Sequence, residues 1–479
     1  MNTNKKTAIE TVDSMADLYK KLSDKIWDEP EISLKEHKAA ALYCDVLREH
    51  GFDVTEKLCG IDTAFCGSFG SGRPYIGILG EFDALSGMSQ EAGITNCKPI
   101  TRGADGHGCG HNLLGVGSMA AAFAVKKFLE ESGNSGTVVF YGCPGEEGGS
   151  GKAFMARDRL WENLDAALSW HPCDINEVRT GTNNSSIQVL YKFKGVAAHA
   201  ASAPDQGRSA LDAVELMNIG AQFLREHMTD DCRIHYSILN AGGVSPNVVQ
   251  AEAEVLYMVR ANKVKQSVEL LKRVDKLAKG AALMTETSFK RVFIDGTSEL
   301  LPNYTIERLL YKNFSEIGVP TYTQEEHSFA ARIKATCAPE ITPPGIGAHF
   351  DPEIAETVKK LTDNMKKPIY DFLMPQYSGT GFMPGSNDVG DVSWQTPTSS
   401  INVVTWPGGT PAHTWQSTAC GKSSMAHKGM LCAAKVLAAT AIDLIEDKEV
   451  LREAREEFLQ KSEEGYTCPI EPGAVPIAL

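Results

Sequence analysis

Residues 137–149 read TVVFYGCPGEEGG. The stretch Thr137–Gly142 has the apolar character of a strand buried on both faces. It runs into Pro144, Gly145, two glutamates and two more glycines. Adjacent glutamates most often open a solvated helix, but proline and glycine on both sides do not make a helical context. In a two-carboxylate arrangement, one can bind a metal while its neighbour stays free as a base.

The flanking segments set this strand in an alternating pattern. Tyr75–Gly80 and Ala166–Trp170 read as further buried strands, and Leu113–Leu129 as an alanine-rich helix. Strands alternating with helices predict an α/β sheet. Ligands of such sheets gather at the carboxyl ends of the strands. Glu81, Asp83, Glu146, Glu147 and His171 all follow closely on predicted strands, which points to one shared site. Upstream, apolar residues spaced by three and four predict a helix over 12–27. A second helix is expected from Leu34 to His50, with Ser33 and Glu36 as a capping box and Gly51 as its stop. Strands are expected at Val54–Cys59 and Ala64–Phe69.

From Ser186 the order changes to β-α-β-β-α-β: strand 187–193, helix 209–227, strands 233–239 and 251–259, helix 264–283, strand 288–293. This is the ferredoxin-like split unit. The expected division is a catalytic domain in two parts, 1–185 and 300–479, interrupted by an inserted domain at 186–299. A helix at 306–317, a strand at 400–406 and a long helix at 423–443 complete the second part. Ala433, Ala434, Ala438 and Ala439 suit that last helix to close packing on the sheet. Residues 321–384 give no clear pattern.

Composition narrows the function. The chain has 479 residues, 42% hydrophobic and 23% charged, with net charge −14. Without a basic cluster, nucleic acid is not an expected partner. The polar start from Met1 to Thr11 predicts no signal peptide, no spanning helix and no membrane partner. Twelve scattered cysteines without a C-x-x-C pair read as reduced thiols of a cytoplasmic protein. A protein this acidic must hold an acidic substrate with a few local cations.

Four short motifs carry the chemistry: GCGHN at 108–112, PGEEGG at 144–149, SWHP at 169–172 and PAHTW at 411–415. Together they offer Cys109, His111, Glu146, Glu147, His171 and His413, the inventory of a hydrolase that activates water on one or two divalent ions. Cys109 and His111 alternate across a glycine turn and can face one ion, while His107 faces away. Pro172 is expected to fix a turn after His171. Any one of these alone is more often structural; the joint occurrence carries the reading. His199 (GVAAHAA), Asn247 (SPNVV), Arg260 at a strand end and Arg208 before a helix are the polar candidates of the inserted segment. Asp391 and Ser393, in SNDVGDVSW, either wall the site or cap a turn.

These motifs, with the runs GHGCGHNLLG, YGCPGEEGGSGK, SPNVVQA, KGAALMTET and DVGDVSW, resemble the co-catalytic metallopeptidase family of glutamate carboxypeptidase, aminoacylase, hippurate hydrolase and the auxin-conjugate amidohydrolases. The resemblance covers nearly the whole chain. It implies an α/β mixed-sheet catalytic domain with an inserted ferredoxin-like lid and dimerisation domain. Cys109, His111, Glu147, His171 and His413 would hold two divalent metal ions, manganese first and zinc as the alternative that a thiolate favours. Glu146 would be the general base. His199 would stabilise the oxyanion of a neighbouring subunit's site in a homodimer, and Asn247, Arg260 and more weakly Arg208 would hold substrate. The implied reaction is cleavage of an N-acyl amino acid amide, p-aminobenzoyl-glutamate first, as in folate catabolism. Indole-acetyl-aspartate, another N-acyl amino acid or a dipeptide is the alternative. A non-catalytic partner, or a hetero-oligomer with a related subunit, is a further one. Where many relatives have His-x-Asp or Asp-x-Asp, this chain has Glu81-Phe82-Asp83, which leaves the role of Glu81 open.

Overall fold

A computed structural model describes residues 2–478. Its strands, in chain order, are β1 (Asp53–Glu56), β2 (Phe65–Ser71), β3 (Tyr75–Glu81), β4 (Gly136–Cys143), β5 (Ala166–Cys173), β6 (Glu177–Val178), β7 (Thr182–Asn183), β8 (Ser185–Lys194), β9 (Arg233–Asn240), β10 (Glu252–Ala261), β11 (Ser288–Thr297), β12 (Phe382–Met383) and β13 (Thr398–Val404).

Seven strands form the main sheet, in the order β1-β2-β4-β3-β5-β13-β6. Its centre, β4-β3-β5-β13, is parallel, and β1, β2 and β6 add antiparallel edges. Tyr75–Gly80 and Thr137–Gly142 are therefore central strands, as their apolar runs predict, and β4 is buried along its whole length. All four parallel strands end on the same side, so the loops after Glu81, Cys143, Cys173 and Val404 converge there.

The helix His111–Ser132 lies against this sheet, almost wholly buried. At 22 residues it is long and apolar enough to cross a bilayer by length and composition. Most of it is buried inside the fold, where it forms the core helix of the domain. The helix Ser424–Glu446, capped by Ser423, packs mainly on it and also touches β5 and β13. Ala433, Ala434, Ala438 and Ala439 are fully buried, as close packing of this helix requires.

The second sheet has the order β11-β8-β10-β9, every pair antiparallel, with the helices Ala210–Arg225 and Val264–Thr285 packed on each other and against it. Its elements follow the β-α-β-β-α-β reading to within a few residues at each end. β9 is an edge strand with its side chains largely exposed, Tyr236, Ile238 and Leu239 among them.

Several local expectations need correction. The N-terminal helical region is two helices, Thr3–Ser14 and Ala16–Asp28, broken at Met15. The apolar spacing found the buried face (Val12, Tyr19, Leu22, Ile26) but not the break. The next helix begins at His37, because Leu34 takes a left-handed φ of 63°. Ser33 and Glu36 form no capping box: Ser33 Oγ donates to Asp83, and the Glu36 carboxylate accepts from Leu34 N, Thr63 Oγ1 and Gly145 N. Both side chains are spent on the loops around the site. Burial and the nearby Asp83 push Glu36 up to about 8. Pro172 makes no turn, since β5 runs through it to Cys173, paired with β13. The unread stretch 321–384 contains helices at Gln324–Lys334, Ile346–Phe350 and Pro352–Leu361.

Candidate metal-dependent active site

Each of the four motifs sits at the carboxyl end of the parallel strands or just before the central helix. Gly110 takes the N-terminal cap of that helix at φ 77°, and a Cβ there would fall 2.9 Å from Pro172. Only glycine lets the loop carrying Cys109 and His111 close so tightly on β5. Glu146 and Glu147 follow β4 through Gly145, also left-handed at φ 69°. His171 lies within β5. His413 is held at φ 58°, its N–H donating to the carbonyl of Gly108, so the last motif is tied to the first. A non-glycine residue kept in that region marks stored strain.

The structure brings all six side chains together. Cys109 Sγ stands 3.5 Å from His171 Nε2 and 3.3 Å from His413 Nε2. His413 Nε2 is 3.4 Å from Glu147 Oε2, and His111 Nε2 is 3.9 Å from Glu146 Oε2. Two groups of donors, Cys109–His111–His171 and Cys109–Glu147–His413, have ligand atoms within 4.8 Å of one another, with Cys109 common to both. Glu81, His111 and Glu146 form a third such group. His111 Nε2 and Glu147 Oε1 are buried without a hydrogen-bond partner. Soft and hard donors, converging and unsatisfied, fit a divalent cation.

Neighbouring residues orient these groups. Asp83 bonds His111 Nδ1 at 2.9 Å, which turns Nε2 toward the cluster, and its other oxygen accepts from Glu147 N and Ser33. A carboxylate behind an imidazole is the usual support of a metal-binding histidine. Burial would raise Asp83, but His111, Glu147 N–H and Ser33 together outweigh it and hold the acid below the ordinary carboxylate value. Glu81 pairs with Lys152 Nζ at 2.8 Å, and Lys152 also pairs with Asp388 at 2.6 Å, all three fully buried. Glu81 is thereby neutralised by a fixed cation. Burial, then Glu81 and Glu147, push Glu146 well above the ordinary carboxyl range. Asn387 Nδ2 donates to its Oε1 at 2.9 Å. Burial lifts the Cys109 thiol far above its usual value, so it becomes a thiolate only beside a cation. Burial and the neighbouring His111 lower His171 to about 4, leaving it neutral and able to coordinate.

A cavity of about 560 Å³ opens over the cluster, walled on one side by the main-sheet loops and on the other by Gln188, Arg260, Asp295 and Thr297 of the second sheet. Arg260 faces it, as expected of a substrate contact. Arg208 does not: it pairs with Glu286 and donates to the carbonyls of Asp205 and Gly207. His199 and Asn247 are exposed and outside the cavity, on loops joined to each other by Ala200 N–H donating to Asn247 O. His107 is buried and bonds Ile26 O, away from the cluster. Asp391 and Ser393 are structural, binding Ser298, Tyr466 and Leu301 N. The earlier part of their loop reaches the site instead, through Ser386, Asn387 and Asp388. The sequence reading missed Arg179, Lys152 and Asn387. The signal for Lys152 was its place after the glutamate motif in GGSGK; the other two had none.

The fold and this site define a metal-dependent amidohydrolase, and the chain belongs to peptidase family M20/M25/M40, whose family model matches residues 77–443. Among individual proteins it is similar to one of the p-aminobenzoyl-glutamate hydrolase subunits of Escherichia coli (strain K12), 44% identical over 463 residues that cover 96% of each chain. It is 28% identical over 474 residues to the Xaa-Arg dipeptidase of Mus musculus, covering 96% of this chain and 93% of that one. The fold matches the crystal structure of the aminobenzoyl-glutamate utilization protein from Klebsiella pneumoniae, with a TM-score of 0.60 at 15% identity, over 91% of this chain and 97% of that one.

Proposed function

We propose that the protein hydrolyses the amide of an N-acyl glutamate, p-aminobenzoyl-glutamate first, releasing p-aminobenzoate and glutamate. The observation that carries this is the complete cluster under a cavity with Arg260 on its far wall, in a chain 44% identical to a p-aminobenzoyl-glutamate hydrolase subunit. Cys109, His111, Glu147, His171 and His413 would hold two divalent ions, manganese before zinc. Cys109 belongs to two of the donor groups, which supports one metal centre drawing on all five residues. The bound ions would supply the acidity that lets water ionise near neutral pH, and charge for the carbonyl oxygen.

The chain's own residues perform the remaining steps. Glu146, positioned by Asn387, takes the proton of the attacking water and returns it to the leaving amine nitrogen. Arg260 grips a carboxylate of the leaving amino acid. His199 and Asn247 do not line this chain's cavity. The exposed β9 edge and its apolar side chains support a dimer through the second sheet that would deliver them to a second copy's site. The Escherichia coli relative is named as one subunit of its hydrolase, which supports a hetero-oligomer with a related chain as a further assembly. All twelve cysteines are free, in keeping with a reducing cytoplasmic location.

The test is a hydrolysis screen of purified, metal-reconstituted protein on p-aminobenzoyl-glutamate, indole-acetyl-aspartate, hippurate and dipeptides, with and without a candidate partner subunit. The highest kcat/KM is expected on p-aminobenzoyl-glutamate. Preference for a dipeptide or for hippurate would overturn the substrate assignment, and no turnover under any condition would overturn the catalytic one.

A further inference from the structure

We infer that Arg179 is a specificity-determining residue that, with Arg260, grips the two carboxylates of an amino-diacid leaving group, one guanidinium to each. The inference rests on the acyl-glutamate reading of the cavity and adds a second cation to it. Arg179 and Arg260 are the lysine or arginine side chains that line the cavity among the described residues. They arrive from different sheets. Arg179 follows β6, its backbone N–H fixed on Ser400 O of β13 at 3.0 Å. Arg260 lies near the end of β10.

One short segment brings them to a common wall. Arg179 Nη2 stands 4.0 Å from the sulfur of Met383, and Arg260 Nη1 donates to Ser386 Oγ at 2.8 Å. Met383 is in β12, held in register on β7, and Ser386 Oγ also bonds Ser186 Oγ at 3.2 Å. The segment that carries these contacts then supplies Asn387 to Glu146, so residues 383–387 touch both guanidiniums and the base.

Neither arginine has a carboxylate partner among the described residues. Several arginines away from the cavity do hold one: Arg291 holds Asp275 and Glu471, and Arg208 holds Glu286. The acids beside the two cations are already engaged: Glu177, beside Arg179, accepts from Asn402 Nδ2 at 2.8 Å. Asp295 accepts from Gln188 Nε2 with both oxygens, at 3.1 and 3.0 Å, and Asp388 is taken by Lys152. Two unpaired guanidiniums in a half-enclosed cavity have donors to spare for two anionic groups. A leaving group with one carboxylate satisfies one and leaves the other partly desolvated without a partner. The site would thus discriminate against neutral side chains as well as attract the acidic one.

The experiment compares wild type, Arg179→Gln, Arg179→Lys and Arg260→Gln, all metal-loaded, on N-(p-aminobenzoyl)-glutamate and its two mono-amides, the γ-amide and the α-amide. Arg179→Gln should lower kcat/KM on the diacid by about ten- to a hundredfold, the range for losing a charge-assisted pair. It should change one mono-amide by less than about twofold, Arg260→Gln should spare the other, and Arg179→Lys should recover part of the loss. Equal loss on all three substrates, no loss on the diacid, or both variants sparing the same mono-amide overturns the assignment. Calorimetric titration with L-glutamate and L-glutamine separates this proposal from the activity. If wild type cleaves no acyl-glutamate yet prefers glutamate, and Arg179→Gln abolishes that preference, the substrate reading fails and the clamp stands. If wild type binds both amino acids alike, the clamp fails.

Discussion

Lys152 offers the sharpest test of how the site is held together. Its Nζ is fully buried, 2.8 Å from Glu81 and 2.6 Å from Asp388. Replacing it by methionine keeps the volume and leaves two buried carboxylates without their cation. Removing one partner of a buried pair typically costs about 3–5 kcal/mol. Unfolding entropy of roughly 2 cal/mol/K per residue gives about 1 kcal/mol per degree for a chain of 479 residues. Lys152→Met should therefore lower Tm by about 3–5 °C at pH 8, measured by scanning calorimetry at equal metal loading. The effect must depend on pH. Burial alone would raise Glu81, but Lys152 and His111 outweigh it and hold its pKa below the ordinary value. A depressed carboxylate contributes stability above its unfolded pKa, and that contribution is lost as pH falls through the folded one. Without Lys152, burial drives Glu81 and Asp388 upward and they fold best protonated. The deficit should then shrink toward pH 5.5 and widen toward pH 8. A deficit independent of pH, or no deficit, would refute the view that Lys152 neutralises this buried pair.

Other expectations follow from the same geometry. Glu146→Gln should reduce turnover by a factor on the order of a hundred to ten thousand with metal content unchanged; loss of metal instead would make Glu146 a ligand and Glu147 the base. Cys109 should resist alkylation in the metal-loaded protein and react after chelation, when mapped by peptide against the other eleven cysteines. Equal labelling in both states would count against ligation. His199→Ala should lower turnover about a hundred- to a thousandfold, as for loss of one oxyanion donor. Mixing it with Glu146→Gln subunits should restore activity if His199 serves a second copy's site. Failure to recover, in a mixture shown to exchange subunits, would confine His199 to its own chain or remove it from catalysis.

Much of this architecture was written locally. The apolar runs 75–80 and 137–142 could belong only to strands covered on both faces, and they are central strands of the main sheet. The change of pattern after Ser186 marked the second sheet because each of its elements has its own period. Cys109, His111, Glu146, Glu147, His171 and His413 were legible because each lies in a short motif whose glycines or prolines left a local trace. Local reasoning failed where a side chain serves a distant partner. Ser33 and Glu36 have the spacing of a helix cap, but Asp83 and the Gly145 turn claim them. Pro172 looks like a turn until β13 pairs alongside it.

What the sequence determined by itself was the set of strands and helices and the set of donors, since periodicity and motif composition are properties of neighbouring residues. The tertiary structure decided which cations serve the cavity and which acids are neutralised. Arg260 and Arg208 look alike in sequence, yet one lines the cavity and the other is spent on Glu286. Arg179 and Asn387 carry no local signature, and Lys152 only its place after the glutamate motif. Their roles come from contacts with Met383, Asp388 and Glu146, across separations of 204, 236 and 241 residues. Electrostatic partnership depends on distance and burial in space, and neither is encoded until the chain has closed on itself.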